Sequence, residues 1–372
     1  MNFDLTDEQS LLQDSVARYV ADHYDLETRN KLAATSQGWS DENWQAFAEL
    51  GWLALPFAET DGGFGGTQIE TMLLMEQFGK GLVVEPYLSA IVLGGGFIAR
   101  SSNPTLKAEI LPGILDGSTR LTLGWAEEQS RFDLDDVVTS ARADGAGYVL
   151  NGHKSMVANA ETATHLVVSA RTSGGQKDEN GITLFLVDAA DAKLTNFPTV
   201  DGLRASEVAL ENVALDADRV IGQLDGGYEI LNAVANDAIL ALCAEAVGCM
   251  EVLYKDTVEY TQQREQFDHP LADFQVLQHR MVDMFMEFEQ CRSLLYRATL
   301  ETAQGAPTAQ RTVHALKHLV GKAASFIGES AVQLHGGMGV TEELRVGHYF
   351  KRLLVIETQF GNTDYHLAKF AA

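Results

Sequence analysis

The sequence predicts a mainly α-helical chain with a small β-domain at its centre. Three observations carry this. Apolar residues recur at helical spacing over roughly the first 120 positions; short β-rich runs separated by glycine turns follow; and long helical periodicity then returns and persists to the C-terminus. At 372 residues the chain is too long for one ordinary core. The changes of period divide it into a helical domain (1–120), a β-domain (121–228) and a helical bundle (229–372).

In the first segment Leu5, Leu11, Leu12, Val16 and Val20 recur at helical spacing, followed by Trp44, Phe47 and Leu50. Thr6 followed by Asp7 and Glu8 predicts an N-cap with acids in the first turn, where they meet the positive helix end. Leu55 to Thr67 holds four glycines and a proline and is read as a loop. Helical spacing resumes at Ile69, Met72, Leu73 and Phe78.

In the second segment the strand candidates are Leu121–Trp125, Tyr148–Leu150, Leu166–Ala170, Ile182–Val187 and Val208–Leu210. Asp144-Gly145, Asn151-Gly152, Asn180-Gly181 and Asp201-Gly202 supply the turns. No helical crossover pattern interrupts the strands, which argues against a parallel sheet of the Rossmann kind. After Gly226-Gly227 the apolar set Leu231, Val234, Ala238, Leu242, Met250 and Leu253 predicts a very long helix. Two more helices are expected at about 273–304 and 308–334, and the sparse glycine and proline in all three suit a packed bundle.

Composition excludes several function classes. The net charge of −25, from 52 acidic against 27 basic residues, leaves no basic stripe for nucleic acid and opposes an anionic membrane. No run approaches the roughly 18 uninterrupted apolar residues of a membrane span, so no membrane insertion is expected. The start of the chain shows no basic-then-apolar leader. Cys243, Cys249 and Cys291 lie in apolar helical sequence without metal-ligand spacing; buried free thiols in a reducing compartment, the cytoplasm, are the expectation. No Ser/His/Asp order, P-loop or metal cluster is evident, so no metal is expected.

Five local motifs remain: Leu55–Gly66 with its paired glycines, Asn151-Gly152-His153-Lys154, Arg264-Glu265-Gln266-Phe267, Phe274-Gln275, and Gln333 to Gly337. In this order and spacing the chain resembles the acyl-CoA dehydrogenase family over nearly its whole length. Within that family, its length, its close (Phe350–Phe370) and its texture are most similar to the small subunit of pimeloyl-CoA dehydrogenase and related heteromeric enzymes. The resemblance implies a helical domain, a β-barrel-like domain and a C-terminal four-helix bundle, assembled as a dimer or tetramer. It also implies FAD lying across a subunit contact, an acyl-CoA thioester as substrate, α,β-dehydrogenation started by a carboxylate, and an electron-transfer flavoprotein as electron acceptor.

The same resemblance assigns residues. Arg264 corresponds to the arginine on the FAD pyrophosphate, Phe267 and Gln275 to neighbouring cofactor contacts, and Gln333, Gly336 and Gly337 to the bare backbone beside the nucleotide. Asp268 departs, since the family has glycine there. The flavin-ring half departs further. Ala126 to Asp133 replaces the family's Thr-Glu-Pro and Gly-Ser-Asp segment, and Met156-Val157-Ala158 replaces Trp-Ile-Thr, so Ala158 offers the flavin no hydroxyl. The family's glutamate falls on Phe360 and its alternative position on Ala238, leaving Asp237 and Glu357 as the candidate bases. Asp237 and Glu245 share a helix face with Ala241 and Gly248, which makes a small-residue cleft with carboxylates conceivable.

Three functions follow. The chain is the smaller subunit of a heteromeric acyl-CoA dehydrogenase that lends the ADP half of the FAD site to a larger subunit, a self-sufficient homo-oligomer with Asp237 or Glu357 as base, or a non-catalytic scaffold of the same fold.

Overall fold

The computed structural model describes residues 4–372. In chain order it holds α1 (Asp7–His23), α2 (Leu26–Ala33), α3 (Asp41–Glu49), α4 (Gln68–Gly81), a π-helix (Leu88–Gly95) continuing into α5 (Gly96–Ala99), and α6 (Pro104–Leu115). Eight strands follow: β1 (Leu121–Gly124), β2 (Ser140–Asp144), β3 (Gly147–Ala158), β4 (His165–Arg171), β5 (Ile182–Asp188), β6 (Lys193–Pro198), β7 (Arg204–Asp216) and β8 (Val220–Ile221). The chain closes with α7 (Gly227–Gln263), the short hairpin β9–β10 (Glu265–Gln266, His269–Pro270), α8 (Gln275–Ala303), α9 (Ala309–His335), α10 (Arg345–Thr358) and α11 (Thr363–Ala371).

The packing separates two units, one of residues 1–31, 67–83 and 239–372, the other of 32–66 and 84–238. The second contains the sheet, ordered β6-β7-β3-β2-β4-β5-β8 with β1 on β4. Its ladders are antiparallel except β1–β4 and the single β2–β4 pair, as the lack of crossover helices implied. Leu150, Val157, Leu166, Val168, Phe185, Val187, Val208 and Leu210 form its core. All five expected strands are present, β3 and β7 being much longer than their apolar runs. β2, β6 and β8 had no sequence signal: β2 and β6 are largely exposed and β8 has two residues, so only their hydrogen-bonded neighbours define them.

In the first unit Thr6 caps α1 through a reciprocal pair with Gln9. Val16 and Val20 are buried, whereas Leu11 is 68% exposed and takes no part in the core. Leu50, in the other unit, is likewise exposed. α7 has the length and composition of a membrane span, but 72% of that window is buried as a core helix. All three cysteines are buried free thiols.

The cleft conceived along Ala241, Glu245 and Gly248 is closed. A Cβ on Gly248 would lie 2.0 Å from the Glu76 carbonyl oxygen, and one on Gly79 would lie 2.0 Å from that of Glu245. The small residues bring α4 and α7 into backbone contact instead of opening space. Glu245 itself is buried against Arg352, whose Nε and Nη2 donate to its two carboxylate oxygens at 2.5 and 2.7 Å.

The end of the bundle is pinned by titratable groups. Lys317, buried and without a carboxylate on its ammonium, donates to the carbonyls of Ile356, Glu357 and Gly361 at 2.8–2.9 Å. Nearby, His366 Nε2 lies 3.0 Å from the Phe360 carbonyl, so that nitrogen donates and Nδ1 accepts from His314 Nδ1 at 2.9 Å. Burial, with the Lys369 charge, pushes His314 down to about 4; burial, with Lys317 and His314, pushes His366 down to about 3. Both folded values lie below the roughly 6.5 of a free histidine, so below that pH the unfolded chain binds more protons. This stabilisation is therefore complete above about pH 6.5 and is lost as pH falls, through about 4 for His314 and about 3 for His366. Thermal unfolding across that window should show His314→Gln losing less stability than the native chain; parallel profiles would refute the assignment.

Candidate functional site

The expected cofactor residues lie at one end of the bundle, in a single packing unit. α7 ends one residue before Arg264, whose N–H still donates to the Tyr260 carbonyl at 2.9 Å. The Arg264 carbonyl accepts from the N–H of Leu271 at 2.8 Å, which folds the β9–β10 hairpin back on the helix end. The guanidinium is exposed and has no side-chain partner among the described residues.

The turn of that hairpin is Phe267-Asp268, with φ of 56° and 61°. Two positive values suit the twist of a two-residue hairpin and are tolerated by aspartate, but they strain Phe267 by roughly 1–2 kcal/mol. Asp268 departs from the family by placing an acid in the turn that follows Arg264. The turn thrusts the Phe267 ring out, 84% exposed, with its edge against Phe274.

Gln275 opens α8, which has neither a side-chain cap nor an acid in its first turn. The first N–H groups and the positive end of a 29-residue helix therefore point outwards beside the hairpin. Gln333 is exposed in the last turn of α9, and Gly336 follows with φ 60° and ψ −138°, a conformation open essentially only to glycine. A Cβ on Gly336 or Gly337 would meet nothing within 4 Å, so the space over this turn is open.

The two segments meet through Tyr260, which lies outside the five motifs, and His335, which lies within the last of them. The Tyr260 ring stacks on that of His335, with centroids 4.2 Å apart, immediately before Gly336. A free guanidinium, open space over bare backbone and an uncapped helix end together fit a pyrophosphate-bearing nucleotide. The signal was present in the sequence as the helical spacing of Tyr260 and Arg264.

The β-domain motifs are spent on structure. Glu127 accepts from Lys154 Nζ at 2.6 Å, from the N–H groups of Val138 and Thr139 at 2.8 and 3.1 Å, and from Gln129 Nε2 at 3.0 Å. Lys154, fully buried, also donates to Ser169 Oγ at 3.1 Å and the Trp125 carbonyl at 3.3 Å. Burial pushes Lys154 down to about 8 against the pull of Glu127. Burial pushes the Glu127 carboxyl up, but the Lys154 charge and the hydrogen bonds outweigh it and leave the group below its usual range. Met156 sits in a bulge of β3, at φ 55°, and is 58% exposed where the family's tryptophan would stand. Ala158 brings no hydroxyl, so the side chains present fit a flavin ring poorly.

The candidate bases are hydrogen-bonded as well. Asp237 Oδ2 accepts from Arg100 Nη2 at 2.5 Å. Glu357 Oε1 accepts from the N–H and the hydroxyl of Thr363, both at 2.9 Å, at the start of α11.

Comparison with known proteins gives a consistent account. Models of the N-terminal, middle and C-terminal domains of acyl-CoA dehydrogenase match residues 6–118, 122–213 and 225–372. The chain is 26% identical to a probable acyl-CoA dehydrogenase of Bacillus subtilis, YngJ, over 98% of its own length and 97% of that protein. Among solved structures it is similar to the ChsE4-ChsE5 complex from Mycobacterium tuberculosis, with a TM-score of 0.89, 25% identity, and coverage of 100% of this chain and 98% of that one. A steroid acyl-CoA dehydrogenase, Tcur3481-Tcur3483, gives a TM-score of 0.88 at 26% identity, covering 98% of this chain and 97% of that one.

Proposed function

The chain belongs to the acyl-CoA dehydrogenase family, FAD-dependent oxidoreductases, and from that premise we propose that it is the smaller subunit of a heteromeric acyl-CoA dehydrogenase. In this reading it contributes the ADP half of an FAD site that a larger, related chain completes, and its three segments (1–120, 121–228 and 229–372) act as the family's three domains. The observation that carries it is the contrast between the helical bundle and the β-domain. The helical bundle presents Arg264, exposed and without a side-chain partner among the described residues, and the open Gly336-Gly337 turn, whereas Glu127 and Lys154 are locked together inside the β-domain. The two-name neighbours, ChsE4-ChsE5 and Tcur3481-Tcur3483, support a heteromer.

Chemically, FAD when bound supplies the acceptor for the β-hydride of the acyl-CoA. Arg264 holds the pyrophosphate through its guanidinium fork, and the N-terminus of α8 with Gln275 favours the same negative charge. The glycines let the nucleotide approach the backbone, while Phe267 and Gln333 border it. Removal of the thioester α-proton needs a carboxylate that can reach the substrate in a dry pocket, with donors on the carbonyl oxygen. Asp237 is bonded to Arg100 and Glu357 accepts from the N–H and hydroxyl of Thr363, so we assign that base to the partner chain. We further propose that the enzyme works in the cytoplasm and passes electrons to an electron-transfer flavoprotein.

Expression decides the matter. The chain alone should purify without flavin absorbance, and co-expression with the larger acyl-CoA dehydrogenase subunit should yield a yellow, active complex. A yellow, fully active homo-oligomer of this chain would overturn the proposal.

A further inference from the structure

Along α7, Asp256, Tyr260 and Arg264 stand four residues apart and so fall on one stripe of the helix and the residue that follows it. Each does something different. Asp256 takes Arg345 Nε and Nη2 at 2.5 and 2.6 Å, at the first residue of α10. Tyr260 takes His335, at the last residue of α9. Arg264 has no side-chain partner among the described residues. The connection between α9 and α10, which begins with Gly336 and Gly337, is thus tied at both ends to the stripe that carries Arg264.

Further along, Gly339 packs against Val332 and His335, and Glu342 takes Lys351 and His348; the stretch beside α9 is barer. Its first two residues lack side chains, and a Cβ on either would touch nothing. At the two glycines themselves no side chain holds the turn, and the tie from the Arg264 stripe nearest to it is the Tyr260–His335 stack. We propose that Tyr260 is a positioning residue of the nucleotide half-site, its ring holding the Gly336-Gly337 turn in register with the Arg264 guanidinium. This rests on the reading of the bundle end as the ADP half of the site.

The stack, rather than the hydroxyl, makes the tie. The rings lie 4.2 Å apart at an interplanar angle of 27°, whereas the Tyr260 hydroxyl reaches the His335 carbonyl only at 3.4 Å. His335 Nδ1 donates to the Ala331 carbonyl at 2.8 Å, which fixes the ring's orientation one turn back on its own helix. Burial pushes His335 below the usual histidine range, so near neutral pH an uncharged imidazole faces the phenol. Asp256 holds the far end of the connection by a bidentate ion pair, and Tyr260 alone addresses the end beside the glycines.

The test titrates FAD into the apo form of the assembled enzyme and follows flavin fluorescence. Tyr260→Leu, which fills space without stacking, should weaken FAD about tenfold, while Tyr260→Phe should stay within about twofold of the native protein. A general loss of structure would not give the third result: in an Arg264→Ala background, Tyr260→Leu should cost about twofold or less, because the residue it positions is gone. The thermal midpoint of each apoprotein serves as the control. If Tyr260→Leu leaves FAD affinity unchanged while Arg264→Ala weakens it, the positioning role falls and the nucleotide reading stands. If Tyr260→Phe is as weak as Tyr260→Leu, the stack is not the tie and the proposal is overturned. If Arg264→Ala itself changes nothing, the nucleotide reading fails and this inference with it.

Discussion

Arg264→Ala is expected to weaken FAD binding to the assembled enzyme by about ten- to a hundredfold while leaving the apoprotein's thermal midpoint unchanged. The first figure follows from the roughly 1.5–3 kcal/mol carried by hydrogen bonds to a charged group. The second follows from exposure, because the guanidinium bonds to no side chain among the described residues and its removal leaves no group unpaired. Arg264→Lys should recover part of the loss, since an ammonium keeps the charge but not the fork that grips two phosphate oxygens. The background makes the residue more exposed to test: with a net charge of −25, and with Glu265, Asp268 and Asp273 nearby in sequence, an anionic cofactor has few cations to choose from. Equilibrium titration of the variants reads this directly. Equal affinities in native and alanine forms would remove the bundle end from the cofactor site.

The second large effect concerns stability. Lys154→Met is expected to cost about 3–5 kcal/mol, because it strands the Glu127 carboxylate inside the β-domain without its counter-charge. For a folding unit of this size such a loss lowers the thermal midpoint by roughly 10 °C or more. Glu127 would keep the Val138 and Thr139 N–H groups, so its charge would remain partly satisfied. The double replacement Lys154→Met with Glu127→Gln should therefore recover much of the stability, since a neutral amide near those donors needs no cation. Thermal or chaotrope unfolding of the three variants checks the point. A single variant as stable as the native chain would mean that water, rather than Lys154, balances Glu127.

These two residues also mark what could be read in advance. Glu127 and Lys154 were both visible as parts of motifs, yet nothing in either motif says that they bond to one another across 27 positions. Asp237 and Glu357 were legible as carboxylates at suggestive places; their bonds to Arg100 and Thr363 were not. Tyr260 and His335 illustrate the opposite case. The former's spacing from Arg264 was in plain view, but the stack that gives the spacing meaning joins α7 to the end of α9.

The order of helices, sheet and helices was determined by the sequence alone, because 3.6- and 2-residue periods are local properties of the chain. The Thr6 cap and the spans of α7, α8 and α9 come from the same short-range rules. Tertiary structure alone decided the three unannounced strands of the large sheet, since a short or exposed strand exists through its neighbours' hydrogen bonds. It also turned the glycine-and-alanine face of α7 from a conceivable cleft into a contact with α4. A small residue marks only where room is left, and whether a ligand or another backbone fills that room depends on what packs opposite. Glu245 and Arg352, paired across 107 positions, show the reason most directly: the state of a buried charge is set by a partner that no local pattern can name.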